Sequence, residues 1–309
     1  MKRLLRLVYT LGIRKSYRQI DRLHYLKRLA RVKHEQDEWY YSEKDAAQYA
    51  GGEVLIASEF RGAPVMFLCR PDVHMERQII NRGLYGADVL SFLAMHAAAG
   101  EIICDVGANI GAYSIPLAKA FPGTEVHAFE PNPPIATRLR QNVLINGAAN
   151  VHVHQLAVGD RTATMEFHAF EGKDHGMSSF IRPRGTAGES ETIAVKVVPL
   201  DEVYDTERRR IGVLKIDVQG FEHQVMTGAR KLIQRCRPFV AMEHEDSNFP
   251  DSLEADKAKK ALQRFFQEND YDAYYLTRFD HALLFPVRWD KMLQGDLIAI
   301  PRDRRPRPS

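Results

Sequence analysis

The sequence predicts an α/β protein with a mostly parallel sheet and helices on both faces. Three observations carry that prediction. Ile102-Ile103-Cys104-Asp105-Val106 is a short apolar run that stops at a turn, Gly107-Ala108-Asn109-Ile110-Gly111, and then opens into a helix. A second strand-like run, Gly123 to Phe129, follows that helix and ends on Glu130. Further apolar runs at Val151–Gln155, Val213–Gly220 and Pro238–Glu243 alternate with helical patterns, the rhythm of repeated strand–helix–strand units.

The turn after the first strand is the chemically informative part. Gly107 and Gly111 can take backbone angles closed to other residues, and Asn109 tolerates a left-handed angle better than most. Such a turn brings backbone close to a ligand at the carboxyl edge of a parallel sheet. Glu130, one strand over, can accept two hydrogen bonds from a ribose diol. A dinucleotide site would want a further glycine at the helix start, where Ser114 stands, which argues against NAD and FAD. The order Asp-x-Gly-x-Asn-x-Gly followed by Phe-Glu-Pro resembles S-adenosylmethionine (SAM) binding in class I methyltransferases. SAM has a ribose and an adenine but no phosphate, so its loop need only seat an amino-acid tail. Pro131, Asn132, Pro133 and Pro134 then start a helix, with Asn132 as cap and Pro133 at its first position. Ala157, at the end of the third strand, is placed as the floor for the base.

Composition bounds the rest. The 309 residues are 45% hydrophobic and 27% charged, ordinary for a globular protein. A formal charge of +3 is too small to imply a nucleic-acid partner, and no DNA partner is expected. The three cysteines, Cys69, Cys104 and Cys236, form no close pair, so neither a zinc knuckle nor a disulfide framework is suggested. No apolar run reaches membrane-spanning length and no leader is convincing, so a cytoplasmic protein is expected.

Residues 1–50 read as a basic amphipathic helical extension. Its first 34 residues carry the basic face, suited to weak contact with an anionic membrane surface or a partner, or to a solvated surface. Residues 51–100 read as a hairpin and helical cap. The hairpin joins Val54–Ala57 to Val65–Cys69, and two helices follow, one capped by Asp72. Residues 101–301 form the ligand-binding domain, and 302–309 a basic disordered tail. Pro116 should kink the helix after Gly111. The polar stretch between Phe170 and Ser190, with His175, is an insertion read as part of an acceptor site. Asp217 falls at the carboxyl end of the fourth strand, and Glu243 with His244 at the end of the fifth.

With Asp105 to Gly111, Phe129-Glu130-Pro131, Leu200-Asp201 and Leu214-Lys215-Ile216-Asp217-Val218-Gln219-Gly220-Phe221-Glu222 in this order, the chain resembles the FkbM family of SAM-dependent methyltransferases. The resemblance covers about Ile79 to Glu243. It implies a Rossmann-like class I methyltransferase fold and O-methylation of a hydroxyl on a sugar, glycan or secondary metabolite. Asp105, Gly107, Asn109 and Gly111 would line the methionine end of SAM, and Glu130 its ribose. Asp217 would stand beside the reacting centre, and Asp217 and Glu243 are the candidate catalytic acids. His244 reads as a satisfied histidine. Two departures stand out. The family often has Glu where this chain has Gln219, and Tyr-Glu where it has Tyr85-Gly86, so the second acid is absent or replaced by Asp88. No metal ligand set is read at the site. An RNA-modifying methyltransferase and a non-catalytic SAM-fold module remain as alternatives.

Overall fold

A computed structural model describes residues 52–170, 176–181, 190–205, 208–277, 283–291 and 294–304. The basic extension at 1–50, His175, and the end of the tail at 305–309 lie outside the described residues; Arg302–Arg304 form a short 3-10 turn. Residues 53–302 cluster as one unit.

The expected hairpin is present as β1 (Val54–Phe60) and β2 (Ala63–Cys69), followed by α1 (His74–Arg82) and α2 (Ala87–His96). Strand and helix then alternate through β3 (Ile102–Val106), α3 (Ser114–Ala120), β4 (Glu125–Phe129), α4 (Pro133–Ile145) and β5 (Val151–His154). A small three-stranded sheet interrupts this rhythm: β6 (Ala157–Val158), β7 (Ala163–Phe170) and β8 (Ser190–Val198), with order β6-β8-β7. The main sheet resumes after α5 (Leu200–Val203) with β9 (Ile211–Ile216), α6 (Glu222–Gly228), α7 (Arg230–Cys236) and β10 (Phe239–Glu245). It closes with α8 (Ser252–Glu268), β11 (Tyr271–Thr277), β12 (Leu283–Pro286) and β13 (Gln294–Pro301).

The eight-stranded sheet has the order β12-β11-β13-β10-β9-β3-β4-β5. The five strands from β10 to β5 pair in parallel, while β13 is antiparallel to both β10 and β11. β3 is the switch point: the chain winds outward through β4 and β5, then returns to its other side at β9. Every residue of β3 and β9 is buried, as parallel strands covered on both faces must be. Open sheets of this kind bind ligands outside the carboxyl ends of the strands at the switch point.

The hairpin packs through Val65, Phe67 and Cys69 onto Ile110, Ile115 and Ile135 of the turn and its flanking helices. Its edge is tied by two asparagines of α4 and its cap. Asn142 Oδ1 accepts from Leu68 N at 2.8 Å, and Asn146 Oδ1 accepts from Met66 N at 2.8 Å. Thus β2 satisfies its outward backbone with side chains rather than another strand.

Local details differ from expectation for identifiable reasons. Val73, not Asp72, precedes α1, because the Asp72 carboxylate pairs with Arg70 at 2.8 Å instead. Pro116 does not interrupt a running helix: α3 begins at Ser114, so the proline lies in the first turn, where no backbone donor is needed. Asn132 does precede α4, but its side chain makes no capping bond. All three cysteines are buried and unpaired.

Candidate active site

β3 delivers Asp105 to the sheet's carboxyl edge with its side chain fully buried. Asp105 Oδ2 accepts from Ser114 Oγ at 2.5 Å, and Oδ1 faces Lys215 Nζ at 3.4 Å. The turn then takes the angles that the sequence requires: φ is 76° at Gly107, 52° at Asn109 and 93° at Gly111. A Cβ on Gly107 would collide with the Asp217 carbonyl oxygen. Its absence therefore lets the exits of β3 and β9 close on each other. Gly111 packs between Ile115 and Leu139, so its role is to shape the turn from behind.

Glu130 follows directly on β4. Its Oε2 accepts from Asn109 N at 3.0 Å and its Oε1 from Asn132 N at 2.9 Å. Asn132 makes no side-chain cap, and Pro133 and Pro134 at the first two helical positions have no N–H for it to accept. The two N–H bonds aim the Glu130 carboxylate across the turn with lone pairs left on both oxygens. Burial lifts its carboxyl to about 7, against the opposing pull of the Asn132 and Asn109 N–H groups.

These groups rim an open cleft. Gly107, Asn109 and Glu130 stand on one side; Leu156, Ala157 and Val158 give an apolar side; Asp217 and Gln219 stand at the exit of β9. Gly176, Ser178 and Phe180 of the insertion also line it. Ser179 anchors that stretch, its Oγ donating to the Gln219 carbonyl at 2.6 Å. So Gly107, Asn109, Glu130, Ala157 and Asp217 come together. Asp105 lies beneath the turn, Gly111 behind it, and Glu243 does not line the cleft.

Glu243 is nevertheless Asp217's neighbour. Met242 and Ile216 are the last registered pair of β10 and β9, so each acid is the next residue on its strand. The Asp217 charge, then burial, then the charges of Asp296 and Glu245 hold the Glu243 carboxyl well above its usual range. Asp217 is fixed by Gln219 Nε2, which donates to its Oδ1 at 2.7 Å. Gln219 has φ 52°, and the tight turn it makes points its amide back at the acid. A glutamate there would set a second carboxylate against Asp217; the amide supplies a donor instead.

The sequence reading passed over three residues. Lys215 is buried, donates to the Gly107 carbonyl at 3.0 Å, and lies 3.5 Å from Asp217 Oδ2. Burial pushes its ammonium pKa down, but Asp105, Asp217 and Glu243 outweigh that, and the net shift is upward. Its one visible signal was a lone charge inside an apolar strand. Tyr113 lies under that ammonium, 4.8 Å from nitrogen to ring centroid. Its hydroxyl also explains Gly86, since a Cβ on Gly86 would strike it. Tyr113 thus fills the space that a larger residue after Tyr85 would need, and Asp88 sits one turn on, in α2. Asp296 faces Glu243 directly across β13 and β10; strand pairing alone brings them together.

His244 is fully buried, with Nδ1 3.1 Å from Glu222 Oε2, while Glu222 Oε1 accepts from Gly220 N at 2.8 Å. The satisfied-histidine expectation describes Nδ1 alone: that pair braces the Asp217–Glu222 turn, while the buried Nε2 makes no hydrogen bond and lies 3.9 Å from Asp246 Oδ1.

A doubly wound sheet with β12 and β13 reversed, a glycine turn at its switch point and an acid at the end of the next strand are the features of a class I methyltransferase fold. The family model of the methyltransferase FkbM domain matches residues 105–273, more than half of the chain. The chain belongs to that family, whose methyl donor is SAM. Over 157 residues it is 27% identical to the 2-O-methyltransferase NoeI of Sinorhizobium fredii, a match covering 47% of this chain and 63% of that protein. Over 174 residues it is 32% identical to the 31-O-demethyl-FK506 methyltransferase FkbM of Streptomyces tacrolimicus, covering 47% of this chain and 66% of that one. The matches therefore span just under two thirds of the length of either relative. Among solved structures, the methyltransferase FkbM of Methylobacillus flagellatus aligns at 18% identity and TM-score 0.40, over 65% of this chain and 43% of that one.

Proposed function

We propose that this chain is a SAM-dependent O-methyltransferase whose acceptor is a hydroxyl on a sugar, glycan or secondary metabolite. The observation that supports it most is the pairing of an oriented, buried Glu130 with an apolar wall at Ala157 across one cleft at the switch point. Glu130 would hold the ribose diol, Ala157 the adenine face, and the Gly107–Asn109 backbone the methionine tail. The NoeI and FkbM relatives are named as O-methyltransferases, which favours a hydroxyl acceptor over RNA.

When bound, SAM supplies a methyl group made electrophilic by the adjacent sulfonium. The chain's own part is alignment, exclusion of water and custody of one proton. A sugar hydroxyl has a high pKa, so its proton leaves only as the new C–O bond forms. Asp217 is the acceptor for that proton, since of the two strand-end acids it is the one that lines the cleft. Ser178 and Phe180 of the insertion line the same cleft and would face the acceptor.

Incubating the chain with isotopically labelled SAM and fractionated cell extract, then weighing the labelled product, tests the assignment. A labelled methyl ether on a small hydroxylated molecule supports it; label found only in RNA, or in no product, contradicts it.

Two further outcomes are expected. Glu130→Ala weakens SAM binding roughly 10- to 100-fold, because charge-assisted hydrogen bonds contribute about 1.5–3 kcal/mol. Unchanged affinity by calorimetry would refute the ribose role. The second concerns pH. Ribose hydroxyls donate to the ionised carboxylate, so binding favours the deprotonated form of Glu130. With that carboxyl raised to about 7, affinity should be greatest above this value and fall as pH drops through it. A roughly tenfold loss between about pH 8 and about pH 6 is expected from linkage. A flat profile over that span in wild type would contradict the assignment.

A further inference from the structure

At the other end of β4, Glu125, His127 and His152 form a second constellation. The pleat puts Glu125 and His127, two residues apart, on one face of β4. His152 of β5 is the registered neighbour of His127, which brings it to the same face. Both imidazole Nε2 atoms point at one oxygen: Glu125 Oε2 lies 3.5 Å from His127 and 3.6 Å from His152. One ligand atom from each of the three residues lies within 4.8 Å of the others.

Those separations favour one reading. They exceed the 2.7–3.2 Å of an ordinary N–H···O hydrogen bond. They match the edge of a tetrahedron around a zinc ion, about 3.3–3.6 Å for ligands at about 2.0–2.2 Å. The carboxylate is also held in place from outside. Its other oxygen, Oε1, pairs with Arg209 at 2.7 Å, which leaves Oε2 turned toward the histidines. Such outer contacts orient ligating carboxylates in metal sites. His152 is 47% exposed at the side chain, so an ion has a route in and a water can take the fourth position. His154, next on this face, stacks on Phe129 at 4.6 Å between centroids and is committed there.

We propose that Glu125, His127 and His152 bind one zinc-type divalent transition metal at the amino-terminal edge of the sheet. Two imidazoles and a carboxylate suit zinc; magnesium and calcium prefer oxygen ligands throughout. The site is separate from the cofactor cleft: Glu125 opens β4 and Glu130 follows its end, about 16 Å away at the usual rise per residue. Its role is a clamp. β5 is a four-residue edge strand with β4 as its one partner in the sheet, and a shared ion would pin the two together.

The test uses the untagged full chain, stripped with a chelator and desalted. It is loaded with zinc or with magnesium, desalted again, assayed for metal by mass spectrometry and melted thermally. One retained equivalent of zinc with a raised melting temperature, and neither effect from magnesium, is expected. His152→Ala, a half-exposed position that should leave the fold intact, should lower zinc affinity by more than about tenfold and abolish the shift. Absence of retained zinc in wild type, or undiminished zinc in His152→Ala, would overturn the proposal. Neither result bears on SAM binding, so this inference and the functional proposal stand or fall separately.

Discussion

Asp217→Asn should cut turnover by about 10²- to 10⁴-fold, the usual weight of a positioned general base, while SAM affinity stays within a few-fold. Asparagine keeps the size of the side chain and can still bond the Gln219 amide through its oxygen. What it loses is the charge that receives the proton. The same substitution should bring the Glu243 carboxyl down toward its ordinary range, because the Asp217 charge is the largest cause of its elevation. Separate measurement of kcat and of SAM affinity distinguishes the possible roles. A fall in kcat alone fits a base. A fall in affinity with kcat intact would mean that Asp217 binds the cofactor's amino group and moves no proton.

Lys215→Met should destabilise the fold by about 3–5 kcal/mol, the cost of leaving a buried carboxylate without its partner. Methionine matches the lysine stem in length and packs in apolar surroundings, so little of the loss comes from a cavity. The loss is electrostatic. Asp105 is fully buried and keeps only Ser114, Asp217 loses a cation 3.5 Å away, and the Gly107 carbonyl loses its donor. Urea unfolding of the variant measures it. A change under about 1 kcal/mol would show that water or the neighbouring acids replace the ammonium without difficulty.

The buried strands were legible because they announce themselves as short apolar runs; their order in the sheet, with β13 between β10 and β11, was not. Ile102–Val106 and Ile211–Ile216 are buried at every position, and no other periodicity competes with that signal. The turn was legible for a related reason: Gly107, Asn109 and Gly111 all take positive φ, and few residue types tolerate it. The reason for Gly107 was not legible. It answers to the Asp217 carbonyl, more than a hundred residues away, and only the pairing of β3 with β9 brings the two together.

The electrostatics of the site were likewise hidden. Asp296 and Tyr113 have no local motif, and Lys215, though inside the Leu214–Glu222 run, shows its role only through neighbours on other strands. The Glu243–Asp296 pair exists because β13 runs antiparallel beside β10. Gly86 looked like a missing acid, yet it is the residue that the Tyr113 hydroxyl permits. The Glu125–His127–His152 group is a third instance, since its histidines are brought side by side by the β4–β5 register.

The account turns on Glu130 gripping a ribose, and one calorimetric cycle asks that question of the atoms concerned. Wild type and Glu130→Ala are each titrated with SAM and with an analogue lacking the ribose 2′- and 3′-hydroxyls. If the carboxylate holds the diol, removing the hydroxyls weakens binding to wild type roughly 10-fold or more and scarcely changes binding to the variant. An equal penalty in both proteins would place the ribose elsewhere and contradict the cofactor site described for this cleft.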